Sequence, residues 1–410
     1  MTDTDLTSPA SPASTRPRVK MKPKSNARAI RHGFPWVYAN ELVTDRRTKK
    51  LAPGSLAVLE DETGQSLGLV AVNPESKIIA RMLDRDAQAE IDVAWFVKRL
   101  ERAQALRSQL YDSPFYRLVH AESDGLPGVV IDRFGAACVV QPNAAWAEAH
   151  LAALTEALAQ VTGCEVILKN ASGRTRGLEG LDDQNAVLKG TAPEAPVPVV
   201  MNGATYMADL TGGQKTGLFY DQRENHAFAA RLVAPGAEVL DVFSHVGGFG
   251  LAMLAAGAGR ATCVDGSAAA LELASAGAAA SGHGDRFEAR QGDAFDVLAA
   301  LATEGVQYDV VICDPPAFAP SKQALEAGLR AYERVAKLAA PLVKPGGYLG
   351  LCSCSHAADL TLFRNASARG IGRGGRRGQL LHTGYAGADH PQLPQLAESG
   401  YLKAVFFRLD

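Results

Sequence analysis

The sequence predicts a multidomain chain with a β-rich N-terminal block, a small α+β middle block and a C-terminal α/β block built on a doubly wound sheet. Three observations predict it. A length of 410 residues suits two or three domains. From about residue 195 onward, short strand-forming runs alternate with helix-length segments, the pattern of helices packed on both faces of a parallel sheet. Ahead of that, strands and turns fill the chain to about residue 86, and mixed helix and strand patterns follow to about residue 194. Residues 1–17, rich in Thr, Ser, Pro and Ala, read as a disordered tail, so the blocks are set at 18–86, 87–194 and 195–410.

Composition narrows the class. Hydrophobic content of 47% and charged content of 21% describe a soluble globular protein. A formal charge of −2 argues against a uniformly basic coat, although local basic patches are what bind a polyanion. Six scattered cysteines form no CxxC pair or disulfide framework, which fits a reduced compartment and predicts no metal site. The tail lacks the apolar core of a secretory signal. The uncharged stretch Val242–Gly259 contains five glycines and His245, a poor membrane span. The expectation is a cytoplasmic protein with no membrane partner.

In the first block Ser55–Glu60 and Ser66–Val72 read as strands joined by the turn Asp61-Glu-Thr-Gly64, and Ile78–Leu83 as a third. Before them, Arg16–Arg31 carries Arg16, Arg18, Lys20, Lys22, Lys24, Arg28 and Arg31 and no acid, and His32-Gly-Phe-Pro-Trp-Val-Tyr38 follows. Cations beside aromatics can hold phosphates and stack bases, which makes Lys20, Lys22 and Lys24 candidate RNA contacts. The plainer reading is a solubilising arm with Trp36 as a core anchor.

In the middle block Val93–Leu110 and Trp146–Gln160 read as helices. Val129–Asp132, Cys138–Gln141 and Glu165–Lys169 read as strands, and Glu122-Ser-Asp-Gly-Leu-Pro-Gly128 as a turn. No catalytic constellation is visible there. Pro193–Pro198 reads as a linker to the third block, whose strands are Glu238–Val242, Ala261–Val264, Phe287–Arg290, Val310–Cys313 and Tyr348–Cys352.

Asp241-Val-Phe-Ser-His-Val-Gly-Gly-Phe-Gly250 follows a strand and opens a helix, where α/β sheets bind ligands. Phe243, Ser244, Gly247 and Gly248 bring backbone close to that ligand. Asp265, 18 residues after Gly247, ends the next strand and is placed for ribose hydroxyls. Asp293, after the third strand, can accept from an adenine amino group. The loop is not GxGxxG, and a carboxylate at Asp241 is unfavourable beside a pyrophosphate but tolerated beside a sulfonium and an ammonium. The predicted cofactor is therefore S-adenosylmethionine.

Asp314-Pro-Pro316 ends the fourth strand, offering a rigid turn with one carboxylate, and Phe318 can stack on a base. One strand later comes Gly350-Leu-Cys-Ser-Cys-Ser-His356, with Pro345-Gly-Gly347 as the turn before it. Most methyl transfers need no thiol, but cytosine carbon 5 becomes nucleophilic only after something adds to carbon 6. Cys354, nearer the strand's carboxyl end, is the candidate nucleophile and Asp314 its catalytic partner. Cys352 shares its side if both lie in the strand. Cys138, Cys164, Cys263 and Cys352 read as core residues, and Cys313 as facing away. The run Arg364–Arg377 holds five arginines among glycines and no acid. No fixed element is expected there, and Arg373 and Arg376 are candidate RNA contacts against the alternative of a solvated loop.

These residues resemble a known family, the PUA-domain rRNA large-subunit methyltransferase I type. The resemblance rests on His32-Gly-Phe-Pro-Trp-Val, on Ala121 through Gly135, and on Lys215-Thr-Gly-Leu-Phe-Tyr-Asp-Gln-Arg223. It continues through Phe243-Ser-His-Val-Gly-Gly-Phe249, Asp314-Pro-Pro-Ala-Phe318, Ser353-Cys-Ser355, Ala388-Asp-His-Pro391 and Ser399-Gly-Tyr-Leu-Lys403. It implies an N-terminal PUA-like domain and a C-terminal Rossmann-like class I methyltransferase domain. It implies large-subunit ribosomal RNA as partner, Cys354 as nucleophile, and Asp221, Arg223 and Asp314 beside the cofactor. Other cytosine-5 RNA methyltransferases place a second cysteine after the Asp-Pro-Pro or Asp-Ala-Pro turn, where this chain has Ala317. Phe318-Ala-Pro-Ser-Lys322 also resembles guanine-7 relatives, with Lys322 a further RNA candidate, but those relatives lack Ser-Cys-Ser. Two alternatives therefore stay open: an RNA guanine or other-substrate methyltransferase, and an RNA-binding protein with an inactive methyltransferase domain. Oligomeric state is not fixed by the sequence, and a homodimer is compatible with it.

Overall fold

The computed structural model describes residues 16–212 and 217–410. All but the last two residues of the expected tail, and Lys215-Thr216 of the Lys215–Arg223 motif, lie outside them. Three sheets organise the rest, together with the hairpin Val197–Met201/Ala204–Ala208. That hairpin begins where a linker was expected, because Val199 and Met201 turn inward onto the core shared with Tyr206.

The first sheet runs in the order Arg18–Lys20, Ser55–Glu60, Ser66–Val72, Ile78–Asp84, Trp36–Tyr38. The basic segment is thus ordered, and it meets acids from the facing turn. Arg18 pairs with Glu60, Arg31 with Asp61, Arg16 with Glu90, and the Lys24 amide with Glu62. Arg16, Arg18 and Arg31 are thereby ion-paired with acids distant in sequence. Trp36 is an anchor: its indole donates to Glu122 at 2.8 Å.

The middle sheet runs Ala186–Lys189, Val166–Lys169, Ala137–Pro142, Val129–Phe134, Phe115–His120. Helix Val93–Leu110 packs on it through Trp95, Phe96 and Leu100. The expected helix Trp146–Gln160 is two, Ala145–Ala149 and Leu151–Thr162. The break falls at His150, whose amide still donates to the Trp146 carbonyl at 3.1 Å and whose ring Nδ1 lies 2.8 Å from the same oxygen.

The third sheet has strands one to five, Glu238–Val242, Arg260–Asp265, Phe287–Gln291, Tyr308–Cys313 and Val343–Ser353. Strands six and seven, Gly378–Gly384 and Lys403–Leu409, complete it in the order 3-2-1-4-5-7-6. The first five are parallel, strand seven runs antiparallel to five and to six, and six therefore points the same way as the first five. Strand order reverses between one and four, so the carboxyl ends of one, four and five border one crevice. Strand five starts at Val343, and Pro345-Gly-Gly347 forms a register jump inside it rather than a turn before it.

The arginine-rich run folds as helix Leu360–Arg373, against expectation. Asp359 caps it by accepting from the Leu362 amide at 2.8 Å. Gly370 lets it press on helix Leu325–Ala339, since a Cβ there would sit 2.4 Å from the Glu333 carbonyl. Among the described residues no helix is long and apolar enough to cross a membrane.

Candidate active site

The glycine loop is held from below by Asp241. Its Oδ2 accepts from the amides of Phe249 and Gly250 at 3.1 and 2.8 Å, at the start of helix Gly248–Ala255, where such donors favour an anion. Burial pushes its carboxyl up to about 7 despite those donors. Its Oδ1 is buried with no hydrogen-bond partner among the described residues. Phe243 and His245 hold left-handed backbone, with φ of 62° and 50°. This conformation costs a non-glycine residue free energy and recurs at ligand-binding turns. Asp265 keeps it in place by accepting from the amides of His245 and Ser267 at 2.8 and 2.9 Å. Gly248 is required because a Cβ would meet the His226 ring at 2.8 Å.

Asp241, Phe243, His245 and Gly248 line a cleft with Gln222 and Asp314. An acceptor atom buried without a donor beside such a loop suits an ammonium group, and Asp265 at the end of strand two suits the ribose of the same ligand. The residues present therefore fit S-adenosylmethionine. Asp293 is exposed and caps helix Ala294–Glu304, accepting from the Phe295 amide at 2.9 Å. Phe243, Phe295 and Phe318 face one another at 6.2–6.5 Å between ring centroids, and Phe243 lines the cleft. A wider depression at Gly346, Arg377 and Arg408 lies at the amino end of strand five, away from these groups.

Across the crevice, Asp314 Oδ2 accepts from Gln222 Nε2 at 2.9 Å. Cys354 is the first residue beyond strand five, so the condition under which it would share a side with Cys352 is not met. Cys354 is half-buried, whereas the other five cysteines are buried. Burial pushes the Cys352 thiol well up. Cys313 packs in the core on the other face of the sheet. The serines flanking Cys354 explain the Ser-Cys-Ser run. Ser353 Oγ donates to Tyr332 at 2.9 Å, Tyr332 and Ser355 hydroxyls meet at 2.7 Å, and Ser355 Oγ accepts from the Ala319 amide at 2.9 Å. The thiol-bearing turn is thereby fastened to the turn that carries Asp314.

The C-terminal return closes the site and brings in the middle block, in which the sequence showed no chemistry. Tyr401 donates to Asp221 Oδ2 at 2.6 Å. His390 pairs with Asp389 at 2.8 Å, and its ring lies 5.0 Å from that of His120. Burial holds both imidazoles neutral, His390 down to about 3. Arg223 is a correction: it donates to the Phe115 carbonyl and lies 4.2 Å over the Tyr111 ring, so it ties the sheets together rather than facing the cleft. Sequence reading singled out neither Gln222 nor Tyr332 nor Lys403 as a site residue, although Gln222 and Lys403 lie inside motifs it quoted.

The RNA candidates separate. Phe318 and Lys322 sit by the crevice, half-buried and exposed. Lys20 is exposed on the first sheet's edge and Lys24 is exposed in the turn beyond it, while Lys22 donates to the Asn40 carbonyl at 3.0 Å. Arg373 pairs with Glu333 but keeps 67% of its side chain exposed. Arg376 is a correction, because its guanidinium is spent on the carbonyls of Ala340, Val343 and Asp410.

Residues 19–85 match the family model of a PUA-like domain, and residues 139–408 that of an S-adenosylmethionine-dependent methyltransferase. A relative from Shewanella denitrificans, named ribosomal RNA large subunit methyltransferase I, is 36% identical over 397 residues, covering 96% of this chain and 99% of its own. One of the same name from Vibrio cholerae is 35% identical over 386 residues, covering 93% and 96%. A solved structure of a proposed SAM-dependent methyltransferase from Streptococcus mutans matches with a TM-score of 0.80 at 19% identity, covering 96% of this chain and 100% of that one. Another, a proposed methyltransferase complexed with SAH, has the same TM-score of 0.80 at 19% identity, covering 96% and 99%. At that identity these two structures show a shared fold.

Proposed function

The chain belongs to the S-adenosylmethionine-dependent methyltransferases with an N-terminal PUA-like domain, the family of the proteins named ribosomal RNA large subunit methyltransferase I, and from this premise we propose that it methylates carbon 5 of a cytosine in large-subunit ribosomal RNA through a covalent cysteine adduct. One observation carries the reading. The one cysteine that is not buried stands at the carboxyl end of strand five, fastened by Tyr332 and Ser355 to the turn that bears Asp314. A methyltransferase acting on an amine has no use for a thiol there.

S-adenosylmethionine, when bound, supplies an electrophilic methyl group. The chain's residues do the rest. Asp241 and Asp265 hold the cofactor's charged and ribose ends, and the aromatic trio keeps water from the reacting face. Cys354 thiolate bonds to cytosine carbon 6, which moves the double-bond electron pair toward carbon 5. Asp314, itself held by Gln222, steadies a proton at ring nitrogen 3. After carbon 5 has gained the methyl group, a base takes its proton, the freed electron pair re-forms the double bond to carbon 6, and the sulfur–carbon bond breaks, regenerating the thiolate. Orientation supplies much of the rate. Phe318 stacks on the base, and Lys322, Lys20, Lys24 and Arg373 meet phosphates, contacts checked by the salt dependence of RNA binding.

Cys354→Ala should abolish methylation of ribosomal RNA from a deletion strain while leaving cofactor affinity and melting temperature near wild type. Cys352→Ala should keep turnover and lose about 1 kcal/mol of stability. Full turnover by Cys354→Ala would move the guanine reading first.

A further inference from the structure

Lys403 lies on strand seven, opposite Ser353 in register and 7% exposed. Its Nζ donates to the carbonyls of Ser355 and Ala358 at 2.6 and 2.8 Å. Both carbonyls belong to the short turn that begins with Cys354. Among the described residues no carboxylate oxygen lies within ion-pairing distance of that ammonium: the ion pairs found do not include it. A buried cation held only by neutral carbonyls is costly, and such charges are ordinarily paired. An ammonium has three donors, and two are accounted for by the carbonyls. A counter-charge is therefore to be expected close by.

We propose that Lys403 is a positioning residue that holds Cys354 as its thiolate, with its ammonium serving as counter-ion from the neighbouring strand. This rests on the reading of Cys354 as nucleophile.

Of the groups on which Cys354 acts, Tyr332 and Tyr401 are phenols and Lys403 is a cation. Tyr332 keeps its hydroxyl on Ser353 and Ser355, and Tyr401 directs its own to Asp221. Burial and then Lys403 push the His356 imidazole down, so it is neutral at pH 7 and adds no second cation. Glu398 acts on His356, and Asp359 is engaged in capping its helix. Burial pushes the Lys403 ammonium down, and the neighbouring sulfur of Cys354 is the first group to hold it up, ahead of Asp359. On ionisation the thiol proton passes to solvent, and no oxidant or further reactant is needed.

The test is the pH dependence of Cys354 alkylation by iodoacetamide on the purified full chain, followed by peptide mass mapping. Cys354 should react ahead of the five buried cysteines. Wild type should show a midpoint clearly below the ~8.5 of a free thiol. Lys403→Met should raise it by about one unit or more, slowing alkylation near neutral pH about tenfold, and Lys403→Arg should restore part of the shift. A purely structural role would leave the midpoint of folded Lys403→Met unchanged, and that result overturns the proposal. If Lys403→Met does not fold, a wild-type midpoint at or above ~8.5 overturns it without any variant. Neither RNA nor cofactor enters the assay. A low, Lys403-dependent midpoint with no adduct to RNA would defeat the cytosine reading and leave this inference standing.

Discussion

The two halves of the crevice are built in opposite ways. The cofactor half comes from one continuous stretch, Asp241–Gly250, plus a carboxylate at the next strand end, and its groups meet mostly through backbone amides. The thiol half is gathered from distant segments: Gln222 bonds Asp314, Tyr332 bonds Ser355 beside Cys354, and Lys403 reaches the carbonyls of the same turn from strand seven. A local loop can be read from spacing alone. A site assembled by the fold yields to sequence reading only the members that stand at strand ends, here Asp314 and Cys354.

The difference predicts separable losses. Asp265→Ala should weaken S-adenosylmethionine binding by roughly 1–3 kcal/mol, because the ribose and the His245 amide lose a charged acceptor. The alkylation rate of Cys354 should not change. Calorimetric titration checks the first and iodoacetamide the second, and coupled losses would break the division into halves.

A smaller effect follows from Asp241. Its carboxyl is raised to about 7 from an ordinary carboxylate value, so this group favours folding when protonated. That contribution is fully present below about pH 4 and is lost as pH rises through about 7. An ammonium at Oδ1 reverses the preference. Cofactor affinity should therefore rise up to about tenfold per pH unit as pH climbs toward 7, with net proton release on binding. Titration in two buffers of different ionisation enthalpy measures it. Proton uptake would show that Asp241 does not meet the cofactor's cation.

The smallest effect belongs to the other half. Tyr332→Phe removes the hydroxyl that joins Ser353 to Ser355, at a cost of about 1 kcal/mol in stability. It should slow methylation while cofactor affinity stays at wild type. A comparable fall in cofactor affinity would show that the two turns move as one.

Sequence legibility followed the same division. Asp241, Gly247, Asp265 and Cys354 could be placed because strand ends and glycine spacing are local signals. Lys403 could not, since its meaning depends on strand seven lying against strand five. The ion pairs of the basic segment near Arg18 were not legible, because their acids, Glu60 and Asp61, arrive from the facing turn. The run from Arg364 misled because Gly370, a helix breaker by propensity, is a helix-packing residue here.

The central claim is that Cys354 bonds to the base. The direct measurement is incubation of the enzyme and S-adenosylmethionine with large-subunit ribosomal RNA carrying 5-fluorocytosine. Fluorine at carbon 5 does not leave as the proton would, so the sulfur–carbon bond should persist. The account predicts a stable protein–RNA adduct that maps to the Cys354 peptide and is absent in Cys354→Ala. Methylation of unmodified RNA with no adduct on the fluorinated RNA would contradict it.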